Sequence, residues 1–200
     1  MAFTYFFRDL QTLDMICEYA LPSLKTRRYI NIWDAGCAMG PEPYSLAIVI
    51  RERTGYMYYR NIKILATDID GSNLFGDIIS NAAYPWEQVE RIPKDIFEKY
   101  FEVDEKERYY RLVQEIRNAV DFKKHDLLSI KSPGCDFGLV LCKNVLLHFS
   151  EQQRIEVIKM FHASLIEGGF LAMEQTQKLP EAVSHLFEPV VSHAQLYKKI

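Results

Sequence analysis

The most constraining stretch of this 200-residue chain spans residues 30–50, Ile-Asn-Ile-Trp-Asp-Ala-Gly-Cys-Ala-Met-Gly-Pro-Glu-Pro-Tyr-Ser-Leu-Ala-Ile-Val-Ile. Residues 30–33 are short and apolar, as a buried strand is. Residues 34–40 carry Gly36 and Gly40, so the backbone can turn sharply and come close to a ligand. The pattern is then helical over residues 42–51, and Pro41 and Pro43 fit only in its first turn. Strand, glycine loop and helix make the first crossover of a nucleotide-binding sheet, with the helix N–H groups open to a ligand. The same pattern also suits a tight strand-to-helix turn with no ligand. No Gly-Lys-Ser/Thr follows, which argues against a phosphate-cradling P-loop.

A second apolar strand, residues 62–68, ends on Asp68. At the carboxyl end of a parallel strand an acid can accept hydrogen bonds from ribose hydroxyls. Its other reading is an N-cap for the segment starting at Gly71, a task that Asp70 or Ser72 can also fill. Residues 10–24 space their apolar side chains as a helix does, with Pro22 expected to kink or end it. Residues 81–118 break the α/β rhythm: a short helix over 93–100, strands near 101–103 and 109–113, and a polar turn from Asp104 to Arg108. They read as a small antiparallel insertion of the kind that carries partner recognition. The sheet resumes at 120–126 and continues at 134–142, an unbroken apolar run suited to a buried parallel strand. A helix follows over 151–165, with Ser150 as N-cap and Gly168-Gly169 expected to end it. Residues 170–174 read as a strand, and 186–191 and 194–199 as a closing pair.

Length and composition fit a single domain over residues 1–200. Such a chain can bury about 70% of its unfolded surface, and 48% of its residues are hydrophobic. No apolar run reaches the ~20 residues of a membrane span. Arg8 and Asp9 interrupt the start of the chain, unlike a signal peptide. A net charge of −3 gives nucleic acid no basic footprint. The four cysteines form no Cys-x-x-Cys pair, and the five histidines show no ligand spacing. The expectation is a reduced, cytoplasmic protein without metal.

Four segments resemble the CheR-type chemotaxis receptor methyltransferases, which methylate receptor glutamates with S-adenosylmethionine. They are Thr4-Tyr-Phe-Phe-Arg8, the loop Ala35-Gly-Cys-Ala-Met-Gly-Pro-Glu-Pro-Tyr-Ser45, Ile64-Leu-Ala-Thr-Asp-Ile-Asp70, and Cys142-Lys-Asn-Val-Leu-Leu-His-Phe149. The resemblance covers nearly the whole chain. It implies a class I, Rossmann-like α/β fold: a seven-stranded, mostly parallel sheet with a small antiparallel β insertion. It also implies cofactor contacts at Thr4, Arg8, Glu42, Asp68, Asp126, Leu127, Lys143 and Asn144, beside the glycines Gly36 and Gly40. Glu42 would pair with the methionyl ammonium, Arg8 would hold a carboxylate, and Asp126 and Leu127 would flank the adenine. Arg8 and His148 are the residues expected at the reacting centre. The product would be S-adenosylhomocysteine, and the partner a protein presenting glutamate carboxylates, such as the cytoplasmic region of a chemoreceptor.

The departures from the family pattern are Pro41 for the first Glu of Glu-Glu-Pro, Lys143 for Arg, His148 for Tyr and Asp126 for Asn. The Asp104–Arg108 turn lacks the glycines of members that grip a receptor tail peptide. The family's N-terminal helical domain is expected to be absent from this chain. The readings are therefore a protein-glutamate O-methyltransferase, a cofactor-binding signalling module without transferase activity, or a methyltransferase for a small acid in which His148 serves as base.

Overall fold

The computed structural model describes residues 4–104 and 108–200. Its strands are β1 (Ile30–Ala35), β2 (Ile62–Asp68), β3 (Ala83–Pro85), β4 (Phe101–Asp104), β5 (Tyr109–Leu112), β6 (Val120–Lys124), β7 (Phe137–Cys142), β8 (Leu165–Met173), β9 (Phe187–Pro189) and β10 (Leu196–Lys199). The main sheet runs β6-β2-β1-β7-β8-β10-β9. Its first five strands are parallel, and β10 pairs antiparallel with both β8 and β9. This is the expected seven-stranded, mostly parallel α/β fold. Chain order reverses between β1 and β7, and ligands of open α/β sheets bind beyond the carboxyl ends of the strands at such a switch point.

Both faces of the sheet are covered, and the period-2 alternation of a strand divides the apolar side chains between them. Ile32, Leu139, Leu141, Phe170 and Ala172 join one core with Leu46 and Ile50 of the Pro41–Thr54 helix. Trp33, Val140, Leu171 and Met173 join the other with Val157, Ile158 and Phe161 of the Glu151–Ser164 helix. That second helix starts with a capping box formed by Ser150 and Gln153.

One local expectation is corrected, and one of the two alternatives expected at Pro22 is ruled out. The Glu151–Ser164 helix ends at Ser164 with extended Leu165 as its cap, and Gly168-Gly169 lie inside β8. Phe137 pairs with Leu165 but Leu139 with Phe170, so β8 bulges there and Gly168 takes φ +70°. Pro22 does not end the first helix. Leu10–Met15 leads through a wide π turn, Ile16–Ala20, into Leu21–Leu24. The missing Pro22 N–H removes one rung of the ladder, and the wide turn lies immediately before it.

The antiparallel insertion is present as a second sheet ordered β3-β5-β4. Trp86, Phe97, Phe101 and Tyr110 cluster over it. β3 was too short to read from sequence. Most of the Asp104–Arg108 turn, residues 105–107, lies outside the described residues.

Candidate functional site

The glycine loop is held in place by the acid at the end of the neighbouring strand. Gly36 N and Cys37 N both donate to Thr67 O. Ala38 N donates to Asp68 Oδ2 at 3.0 Å, and Asp70 N donates to Asp68 Oδ1 at 3.1 Å. Asp68 is therefore no helix cap; Asp70 accepts from Leu74 N and Phe75 N at the start of the Phe75–Asn81 helix, whose N-cap position is Leu74. Gly36 adopts φ +105°, and a Cβ there would lie 2.1 Å from Val145 Cγ2. Gly40 adopts φ +100° and faces Tyr84 and Ile79 instead. Its role is to turn the chain into the Pro41–Thr54 helix, away from the cleft.

The N-terminal arm reaches the same place. Phe6 is buried, with edge contacts to Tyr84 and Phe101 at centroid distances of 5.0 and 5.5 Å. Phe7 N donates to Ser45 Oγ, which donates in turn to Pro41 O. These contacts deliver Arg8 to the cleft, where Nη2 donates to Asn144 Oδ1 at 3.1 Å. The clustering of Phe3, Phe6 and Phe7 in the sequence suggests an apolar anchor that leaves Arg8 free to enter the cleft; of the three, Phe3 lies outside the described residues. Phe7, Asp9, Ala38, Asp70 and Asn144 all take positive φ. These are half of the ten positive-φ non-glycine positions among the described residues, and strained backbone of this kind is common at functional sites.

Behind the loop lies a charge cluster. Lys143 follows β7 with its side chain fully buried. Its Nζ lies 3.1 Å from Glu42 Oε2, donates to Arg8 O at 3.0 Å and sits 3.8 Å from Asp9 Oδ2. Lys143 thus ties the helix start to the arm, and its ammonium is spent within the protein. Glu42 sits in the first turn of its helix with 11% of its side chain exposed. Burial pushes its carboxyl up, against the opposing pull of Lys143. Asp34, at the end of β1, is fully buried, and burial followed by the Glu42 charge pushes its carboxyl well above the usual range. Burial, reinforced by the nearby carboxyls, also pushes the Cys37 thiol up, so it is no nucleophile.

Thr4, Arg8, Gly36, Glu42, Asp68, Lys143, Asn144 and His148 line one cleft of about 530 Å³. Asp126 and Leu127 line a smaller, more apolar lobe of about 230 Å³ with Ile69 and Phe149, and the two share Gly36, Asp68, Val145 and His148. Every expected site residue except Gly40 therefore lines one of these two adjoining cavities, at the carboxyl ends of β1, β2, β6 and β7. Sequence reasoning missed Val145, which faces Gly36, and Glu174, which accepts Asn144 N at 3.0 Å through Oε2. Glu174 was detectable as an acid ending an apolar strand. Asp34 was missed as well, since nothing local marks its neighbours.

Residues 2–195 match the family model described as "CheR methyltransferase, SAM binding domain". A "Chemotaxis protein methyltransferase" of Borreliella burgdorferi is 30% identical over 88% of this chain, and one of Listeria innocua is 32% identical over 87%. The chain spans 64% of the length of each. Among solved structures, an rRNA methyltransferase of Streptomyces viridochromogenes superposes with a TM-score of 0.59 at 13% identity, over 98% of this chain and 86% of that one. That likeness concerns the fold.

Proposed function

The chain belongs to the CheR methyltransferase SAM-binding domain family, and on that premise we propose that it is the catalytic domain of a protein-glutamate O-methyltransferase. Its cofactor is S-adenosylmethionine, its product S-adenosylhomocysteine, and its acceptor a glutamate side chain of a chemoreceptor or related signalling protein. No helix among the described residues is long and apolar enough to cross a membrane. A cytoplasmic setting, where receptor signalling regions lie, is part of the proposal.

One observation carries it: the side chains that line the cleft match the cofactor group by group. Glu42 offers an anion to the methionyl ammonium. Asp68 keeps unused lone pairs beyond its two loop amides, and these suit the ribose diol. The apolar lobe beside Leu127 and Ile69, with Asp126 at its rim, suits the adenine. The Gly36 turn leaves the backbone bare where the ligand passes. Around the arm and loop, Arg8 and Lys143 stand against Asp9, Glu42 and Asp68, an excess of negative charge that favours a cationic cofactor.

When bound, the cofactor supplies an electrophilic methyl group on a sulfonium sulfur. The acceptor needs no general base, because a solvated glutamate side chain titrates near pH ~4.3 and is ionised at neutral pH. The task left to the chain is orientation and exclusion of water. Arg8 offers a planar fork to a carboxylate, steadied at one nitrogen by Asn144. His148 stands at the junction of cleft and lobe and shapes the opening.

Incubation with methyl-labelled S-adenosylmethionine and a membrane fraction containing chemoreceptors tests the proposal. Label on a receptor band, released as methanol by mild base, is the expected result. Base-stable label, or no label from a preparation that binds S-adenosylhomocysteine, overturns it.

A further inference from the structure

The Asp34 carboxyl poses a problem of charge. Asp34 is 0% exposed, and neither of its oxygens has a hydrogen-bond partner. An ionised carboxylate left alone in such a place is prohibitively costly. The cation nearby cannot serve it. Lys143 Nζ donates to Arg8 O and pairs with Glu42 Oε2 at 3.1 Å, with Asp9 Oδ2 3.8 Å away, and it makes no hydrogen bond to either Asp34 oxygen. A protonated carboxyl solves the charge problem but brings an O–H that needs an acceptor. Among the described residues, one other carboxylate oxygen is buried without a partner, and it is Glu42 Oε1. Asp34 and Glu42 are close enough for each carboxyl to act on the other's titration.

We infer that Asp34 keeps its proton at neutral pH and donates it as a hydrogen bond to Glu42 Oε1, making Asp34 a positioning residue for Glu42. Glu42 is then held from two sides. Asp34 grips Oε1 from within the sheet, and Lys143 grips Oε2 from the end of β7. The carboxylate can neither rotate nor withdraw, and its remaining lone pairs are presented at the cleft wall. The pair carries one negative charge, which Lys143 balances. The other charges facing it are Asp68 at the end of β2 and Arg8 on the arm, with the Cys37 thiol in the loop. The use of Glu42 to hold a ligand rests on the proposed function; the shared proton does not.

The test has two arms. Infrared spectroscopy at pH 7 should show the band of a buried protonated carboxyl in the wild type, lost in Asp34→Asn. Absence of that band, or its persistence in the variant, overturns the inference. The second arm measures S-adenosylhomocysteine binding by calorimetry. Asp34→Asn keeps a donor for Glu42 and should bind within about threefold of wild type, whereas Asp34→Val, which has none, should bind about tenfold or more weakly. Equal weakening in both variants, with unchanged melting of Asp34→Asn, shows that no hydrogen bond from position 34 orients Glu42. If Asp34→Val does not fold, Asp34→Asn and the infrared band still decide. If the wild type binds no S-adenosylhomocysteine, the cofactor reading fails while the infrared arm still judges the proton.

Discussion

Two aspartates end neighbouring parallel strands and have opposite characters. Asp68, at the half-exposed end of β2, accepts two backbone amides and stays available to the cleft. Asp34, on β1, is sealed behind the loop. For Asp68, replacement by Ala leaves Ala38 N and Asp70 N without their acceptor and, on the proposed function, removes a ribose partner. S-adenosylhomocysteine binding should weaken by about 1–3 kcal/mol; calorimetry showing equal affinity would take Asp68 out of the site. For Asp34, the consequence appears in stability. Its folded pKa lies above the unfolded value of about 3.9, so the native state binds the extra proton between the two values. Stability from this group is fully present below pH 4 and falls as pH rises, by about 1.4 kcal/mol per pH unit while the proton stays bound. Asp34→Asn lacks that slope. Chemical melts should show its stability relative to wild type improving steadily from pH 5 to pH 7. A constant difference across that range would show that Asp34 is ionised in the folded protein. Asp68 could be read from sequence because a strand end is a local pattern. The environment of Asp34 could not, because Glu42 and Lys143 reach it from other elements, Lys143 from more than 100 positions away in the chain.

At the scale of elements, the decisive piece is the arm. A segment this near a terminus frays unless something holds it, and here Phe6 enters the core between Tyr84 and Phe101. The aromatic run was visible in the sequence, but its partners were not: they come from the insertion, whose β3 leaves almost no trace in three residues. Phe6→Ala should cost about 3 kcal/mol of stability in a urea melt and weaken S-adenosylhomocysteine binding with it, because Arg8 loses its support. Arg8→Lys separates the two effects. It leaves the aromatic anchor intact but gives a point charge in place of a planar fork. Methyl transfer should fall at least tenfold while the melting temperature moves by no more than about 2 °C, the scale of a surface change well under 1 kcal/mol. Full transfer by Arg8→Ala would refute the role assigned to this residue, and activity that merely tracks folding would make the arm a structural strap. The misplaced helix end at Gly168-Gly169 shows the limit of local reading. The same Gly-Gly suits a cap or a bulge, and pairing of β8 with β7 decides between them.

For the whole molecule, the cleft matters because parts far apart in the chain meet in it: the arm, the glycine loop, and the ends of β2, β6 and β7. The sequence showed most strands as apolar runs, and its resemblance to the family pointed to most of the lining residues. It did not show that Lys143 turns inward to bind the helix start and the arm together. That tie makes the arm part of the site and gives ligand binding a global signature. A ligand that binds the native state alone stabilises it by RT ln(1 + [L]/Kd), about 2.7 kcal/mol at a hundredfold excess over Kd. For a domain of this size that is roughly 5–10 °C in melting temperature. S-adenosylhomocysteine should therefore raise the melting temperature by that amount and, in the same preparation, slow cleavage of the arm by a protease used in limiting quantity. Both effects should shrink together in Phe6→Ala. A rise in melting temperature with no protection of the arm would mean that the cleft closes on its ligand without residues 4–9, and that Arg8 stands outside the binding site.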